Sequence, residues 1–236
     1  MKTWQEDQLH GLGSHQCEQT LFQASAKFAA RLGFEFCSYC MRMPLPTSAP
    51  AVVMFNNHPP AWQSEYLQKN YLSVDPTIKH AMRSQAPLIW SDRIFAKTPD
   101  LWNDAQGYGL RVGWAQPSRD AQNVVGLLTL ARSSKALSRD ETRDKQFKMA
   151  WLAQTTHLGM SGYLSHQLLP KIEATLSSRE VDVLRWTAEG KTASEISEIL
   201  RITERTVNFH VNNAVSKLGA ANKTAATIHA ALLGFL

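Results

Sequence analysis

Between residues 176 and 236 the chain marks out its own helices, and nothing else in the sequence restricts its folding as tightly. Ser177-Ser178-Arg179-Glu180 and Thr192-Ala193-Ser194-Glu195 are both capping boxes. In such a box the first side chain accepts from the N3 amide and the Glu reaches back to the cap amide. The first box opens a helix over Arg179–Ala188, with Val181 and Leu184 facing inward, and Gly190 stops it. The second opens a short helix over Ala193–Leu200. After the tight Arg201-Ile202-Thr203 connection, Thr203 caps a third helix over Glu204–Leu218, ended by Gly219, and Asn222 caps a fourth over Lys223–Leu233. Helix, short turn, helix at this length is the helix-turn-helix layout. The second helix of such a pair enters the DNA major groove and reads base edges with its N-terminal residues.

Periodicity sorts the third helix. Val207, Val211, Val215 and Leu218 form a core stripe, while Arg205, Asn208, Phe209, Asn212 and Ser216 lie off it. Arg suits guanine, Asn suits adenine, and Phe can touch a thymine methyl. Lys191 and Thr192 at a helix start, with Lys217 and Lys223 flanking the third helix, suit phosphates. Spacing alone also fits a small helical bundle with a solvated polar face.

Charge separates these readings only when it is located. The whole chain carries 25 Lys and Arg against 20 Asp and Glu, net +5. Residues 1–170 hold +4 and residues 171–236 only +1, but the latter divide into −2 over 171–200 and +3 over 201–236. The basic patch thus coincides with the third and fourth helices.

The chain as a whole is 44% hydrophobic, the apolar content of a packed protein. No run approaches the 18 or so apolar residues of a membrane span, and the N-terminus lacks a signal-peptide core. Three Cys argue against a disulfide scaffold. These features predict a cytoplasmic protein without a membrane partner. Helical spacing covers Glu18–Leu32 and Ala61–Lys69, where Glu65 and Lys69 form an i,i+4 pair. Asp75-Pro76 opens a helix to about Ser84. Phe34–Met43, Ala51–Phe55, Val112–Gln116 and Val124–Ala131 read as strands, and a third box, Ser138-x-x-Glu141, opens a long helix toward Gln167. The pattern predicts an α+β or α/β/α domain, with a boundary near Pro170. Acidic residues are missing from the ends of the early strands, which disfavours a phosphorylatable receiver.

Large amphipathic rings concentrate in one stretch. Trp62 and Tyr66 share a helix face, Asp75 follows, then Trp90 and Trp102. An indole N–H, a phenol and a carboxylate converging in an apolar space can orient a ligand bearing carbonyls and an amide N–H. Each also has a plainer role: the rings as core, and Asp75 as N-cap before a Pro at N1. Cys37 and Cys40, three apart on a strand, point to opposite faces and read as buried small hydrophobes. Gly107, Gly109 and Gly113 lack the strand–turn–helix setting of a nucleotide loop. The His residues show no metal-ligand spacing, and His157 and His166 fall on a solvated or interface face of the long helix.

Two resemblances extend this reading. Leu176–Thr192 with Glu195-Ile196, Thr206–Val211 and Lys217-Leu218-Gly219-Ala220 closely resembles the output domain of LuxR-type transcription regulators. It implies a tetrahelical DNA-binding domain with Glu180, Leu184 and Gly190 at hallmark positions. Leu32-Gly33-Phe34, Pro59-x-x-Trp62, Tyr66, Asn70-Tyr71, Asp75-Pro76, Trp90, Trp102 and Gly109-x-x-x-Gly113 resemble the acyl-homoserine lactone-binding domain of quorum-sensing LuxR-type receptors. The expected fold is α+β: an N-terminal α/β/α sandwich with a five-stranded antiparallel sheet over 1–168, a linker over 169–175, and the all-α helix-turn-helix domain over 176–236.

The resemblance implies that Trp62 donates to the lactone carbonyl, Asp75 accepts from the ligand amide, and Tyr66 donates to the acyl carbonyl. Trp90 and Trp102 would line the lactone ring. Ser38 and Thr129 would add hydrogen bonds, and His58 would stand in the wall. It further implies a homodimer on a two-fold symmetric DNA repeat, RNA polymerase as a further partner, and no cofactor beyond the ligand. A different amphipathic metabolite in the same architecture is the alternative. A lactone hydrolase with Asp75 as base is the more distant rival.

Overall fold

A computed structural model describes residues 17–45, 48–168 and 176–236. The expected linker, 169–175, lies outside the described residues. The chain divides into two compact units.

The first unit is built on a five-stranded sheet. Its strands are β1 (Phe36–Arg42), β2 (Val52–Asn56), β3 (Leu88–Ile89), β4 (Val112–Arg119) and β5 (Val125–Arg132). They lie in the order β2-β1-β5-β4-β3, every pair antiparallel. All eight residues of β5 are buried. This is why its sequence is an almost unbroken apolar run: a central strand covered on both sides has no solvent face to encode.

Strand parity divides the interior into two layers. On β1, Cys37, Tyr39 and Met41 point one way and are fully buried. There the Tyr39 hydroxyl meets His157 Nδ1 at 2.8 Å. His157 stands on the long helix α6 (Arg139–Leu168), which a 2.9 Å Ser25–Thr156 hydroxyl bond ties to α1 (Glu18–Arg31). Ser38 and Cys40 point the other way, toward a layer of short helices: α2 (Pro60–Gln68), α3 (Pro76–Ala81), α4 (Asp92–Phe95) and α5 (Pro99–Gly107). The sandwich is therefore α/β/α, as expected.

Local differences have local causes. β3 is two residues long, too short to show alternation, and it exists because β4 offers an edge: Leu88 pairs Ala115 and Trp90 N donates to Gly113 O at 2.8 Å. The Asp75-capped helix stops at Ala81 rather than Ser84, where Arg83 N and Ser84 N both turn back onto His80 O. At α6, Ser138 Oγ accepts from Glu141 N as a box requires, but the Glu141 carboxylate does not return to the cap. It accepts from the two terminal Arg132 guanidinium nitrogens at 2.8–2.9 Å and from Lys145 Nζ at 2.7 Å. Those cations hold its carboxyl down at about 2. His157 is a correction: it is fully buried rather than on a solvated face, its ring seated over Gly126, where a Cβ would come within 2.3 Å of Nδ1. The side chain of His166 lies outside the described residues.

The second unit contains α7 (Ser178–Ala188), α8 (Ala193–Leu200), α9 (Glu204–Lys217) and α10 (Lys223–Leu232). Ser177, Thr192, Thr203 and Asn222 each accept from a backbone amide of the first turn, and both predicted boxes close reciprocally. Two apolar clusters hold the helices: Val183, Ile196, Val207 and Val211, and Leu184 with Ala214, Leu218, Ala226 and Ala230. Val183 rather than Val181 takes the buried position on α7.

Candidate functional site

Between the sheet and its short-helix layer lies a cavity of about 250 Å³. Ser38 and Thr129, direct partners in the β1–β5 register, form part of its floor. From the helices it receives Trp62 and Tyr66, one turn apart on α2, Asp75 at the cap of α3, and Trp90 after β3. His58, just before α2, completes this set. Seven of the eight candidate ligand residues thus face one space.

Asp75 caps α3 and also lines the cavity. One carboxylate oxygen caps α3, accepting from Thr77 N at 2.8 Å and the Thr77 hydroxyl at 2.7 Å; the other accepts from the Tyr66 hydroxyl at 2.9 Å. Burial pushes its carboxyl above the usual range, and the bonds from Thr77 and Tyr66 act against that shift. Tyr66 is raised by burial and by Asp75, so its phenol keeps its proton. Burial lowers His58 to about 4, leaving a neutral imidazole. His58 Nε2 and Trp90 Nε1 are buried without a hydrogen-bond partner among the described residues. Buried polar atoms are normally satisfied, so two open valences at a cavity wall are what a polar ligand can fill.

Trp102 is the exception among the eight. It packs flat on Phe95, ring centroids 4.5 Å apart, and its indole N–H donates to Asp92 Oδ1 at 2.8 Å. Phe95 takes the place on the wall. The physical reason is that α4, four residues long and without sequence periodicity, brings both Asp92 and Phe95 against Trp102. Thr77, Cys40, Met54 and Ile78 also line the cavity and were not expected there. Strand parity was the available signal for Cys40, which stands two residues from Ser38.

In the second unit, Arg205, Asn208, Phe209 and Asn212 are exposed on α9 opposite its buried Val207, Val211 and Ala214. Phe209 is 60% exposed there, so most of its ring is available for contact.

Residues 18–160 match the model of the autoinducer binding domain, and residues 174–230 match that of bacterial regulatory proteins of the luxR family. The chain is 44% identical to the transcriptional activator protein AnoR of Acinetobacter nosocomialis over the full length of both. It is similar to the crystal structure of Escherichia coli SdiA, with TM-score 0.83 and 33% identity, covering 99% of this chain and 98% of that one. It also resembles SdiA in complex with octanoyl-rac-glycerol, with TM-score 0.80 and 34% identity, covering 98% and 94%. CepR2 of Burkholderia cenocepacia, described as an N-acylhomoserine lactone dependent LuxR family factor, matches with TM-score 0.64 and 29% identity over 69% of this chain and 96% of that one.

The chain belongs to the LuxR family of quorum-sensing transcription regulators. It combines a domain for a small-molecule autoinducer with a helix-turn-helix DNA-binding domain. Its relatives are transcription regulators, a non-enzymatic family, which removes the hydrolase reading of Asp75.

Within this LuxR-family reader, Lys217 departs from the expected phosphate role. Its ammonium meets Glu180 at 2.8 Å, and Glu180 is 3% exposed. Burial alone would raise the Glu180 carboxyl, but Lys217 and the Ser177 amide draw it below its usual value. Glu180 therefore caps α7 and ties it to α9 through one carboxylate. Lys191 pairs loosely with Glu195 at 3.8 Å, and the Thr192 hydroxyl is engaged in its own cap. Lys223, at the first position of α10, is half-buried.

Proposed function

We propose that this LuxR-family regulator binds an N-acyl-homoserine lactone in the cavity and, as a homodimer, a two-fold symmetric DNA site. The sensor spans 1–168, the linker 169–175 and the reader 176–236. The observation that carries the lactone reading is the convergence of Trp62, Tyr66 and Asp75 on one apolar cavity. A lactone carbonyl, an acyl carbonyl and an amide N–H are the groups that an indole donor, a phenol and a carboxylate match. Trp62 donates to the lactone carbonyl, Tyr66 turns its one hydroxyl proton from Asp75 to the acyl carbonyl, and Asp75 accepts the amide proton in its place. Trp90, with Phe95 in place of Trp102, encloses the ring. Ser38, Thr129 and His58 contact the remaining polar groups.

Ligand completes the sensor core and stabilises the folded state by mass action, about 2.7 kcal/mol at a hundredfold excess over Kd. That makes the dimer, and so DNA binding, available. Arg205, Asn208, Phe209 and Asn212 read bases, while Lys191, Thr192 and Lys223 hold phosphates. RNA polymerase is the further partner. No helix among the described residues is long and apolar enough to cross a membrane, and the cytoplasm is the compartment in which such a regulator meets DNA.

The decisive experiment measures the melting temperature with lactones of graded acyl length, for the wild type, Trp62→Phe and Asp75→Asn. The expected outcome is a rise for the wild type that both variants lose in large part. If no lactone of any length raises it, the lactone reading is wrong. The SdiA complex with octanoyl-rac-glycerol favours a second reading, an acylated polar molecule of another kind. A monoacylglycerol in the same assay, shifting the melting point more than every lactone, would establish it.

A further inference from the structure

The geometry points to a polar clasp on the outer surface of α2, formed by Glu65, Lys69 and Asp104, that positions Trp62 from outside the cavity. This inference rests on the reading of Trp62 as the donor to the lactone carbonyl.

Trp62 is boxed by three tyrosine rings. Tyr66 lies at 5.6 Å, Tyr71 at 6.0 Å and Tyr108 at 5.6 Å between ring centroids. The hydroxyl of each is held by a different carboxylate. Tyr66 donates to Asp75 at 2.9 Å, Tyr108 donates to Glu65 at 2.7 Å, and Tyr71 donates to Asp104. Asp75 belongs to the cavity. Glu65 and Asp104 do not, and Lys69 bridges them, 2.6 Å from each.

The sequence foresaw only the i,i+4 half of this arrangement, Glu65 with Lys69. The structure adds Asp104 from α5, 35 residues away in sequence from Lys69. It thereby closes a loop from α2 through two tyrosines back onto the faces of Trp62. Without Lys69, two carboxylates would share one site and repel, and both tyrosine anchors would loosen together. Isolated pairs with this exposure contribute little to stability, whereas a network with short bonds holds geometry. The clasp therefore acts on the direction of the Trp62 indole more than on the stability of the fold. A group held by packing and an outer layer of hydrogen bonds keeps its productive orientation, and one without such support loosens.

The test uses the full chain and two probes, N-octanoyl-L-homoserine lactone and N-cyclopentyl octanamide, which keeps the amide and the tail but lacks the lactone carbonyl. Calorimetric Kd values are compared for the wild type, Lys69→Met and Lys69→Arg. Lys69→Met is expected to weaken lactone binding about fivefold while leaving the cyclopentyl amide unchanged, and Lys69→Arg to restore most of the loss. Equal weakening of both probes would make the clasp a merely structural device and overturn the proposal, as would no weakening of either. A wild type that binds both probes equally well removes the Trp62–lactone assignment, and one that binds neither removes the lactone reading; in each case the clasp falls with it.

Discussion

Two glycines decide how much room the binding layer and the packing layer have. A Cβ at Gly113 would stand 2.1 Å from the Trp90 ring, and one at Gly126 would strike His157 on the opposite face of the sheet. Gly113→Ala is expected to push Trp90 into the cavity and lower ligand affinity by about 1–3 kcal/mol, which titration calorimetry measures directly. Two histidines with buried ring nitrogens give the molecule an acid limit. Burial lowers both His58, to about 4, and His157 below the ordinary 6.5. Above 6.5 neither folded nor unfolded chain protonates them, so they leave stability unchanged. As pH falls through 6.5 the unfolded chain takes up protons that the folded chain refuses, and stability declines until the folded imidazoles protonate. The melting temperature should therefore drop between pH 7 and pH 5, and His58→Phe should remove the part due to that ring.

At the scale of elements, the helix-turn-helix is held by one carboxylate used twice. Glu180 closes the α7 cap by accepting from Ser177 N at 2.7 Å and binds Lys217 of α9 at 2.8 Å. A double-mutant cycle between Glu180→Gln and Lys217→Met should show a coupling of about 1–3 kcal/mol in denaturant unfolding of the C-terminal transition. Lys217→Met should also leave the salt dependence of DNA binding unchanged, while Lys223→Met lowers the slope by about one. The opposite assignment of slopes would return Lys217 to the phosphate backbone. On the reading face, Arg205→Ala should cost about 1–3 kcal/mol at one base position; a uniform loss across DNA sequences would mark it as a phosphate contact. Legibility followed element length. The capped helices of the second unit and the apolar run of β5 were evident from sequence. β3 and α4 were not, because two and four residues cannot display a period of 2 or 3.6.

At the scale of the whole molecule, family membership joins a sensor for a small molecule to a reader of DNA on one chain. The run of capped helices with +3 beyond residue 200 falls within the luxR-family match over 174–230, while the +4 of residues 1–170 lies mostly in the autoinducer-binding domain. The sequence by itself determined what local chemistry controls. Caps are set by residues three apart, strand parity by alternation, and the amphipathic rings by composition, so each could be read without knowing the fold. Only the tertiary structure decided what depends on distant segments meeting. Trp102 was drawn off the wall by Asp92 and Phe95, Lys217 was taken by Glu180, His157 was buried over Gly126, and Asp104 was brought to Lys69. A side chain's type and spacing state what it can bond to. Which partner it finds is settled when the chain closes, because packing decides which donors and acceptors come within hydrogen-bond reach.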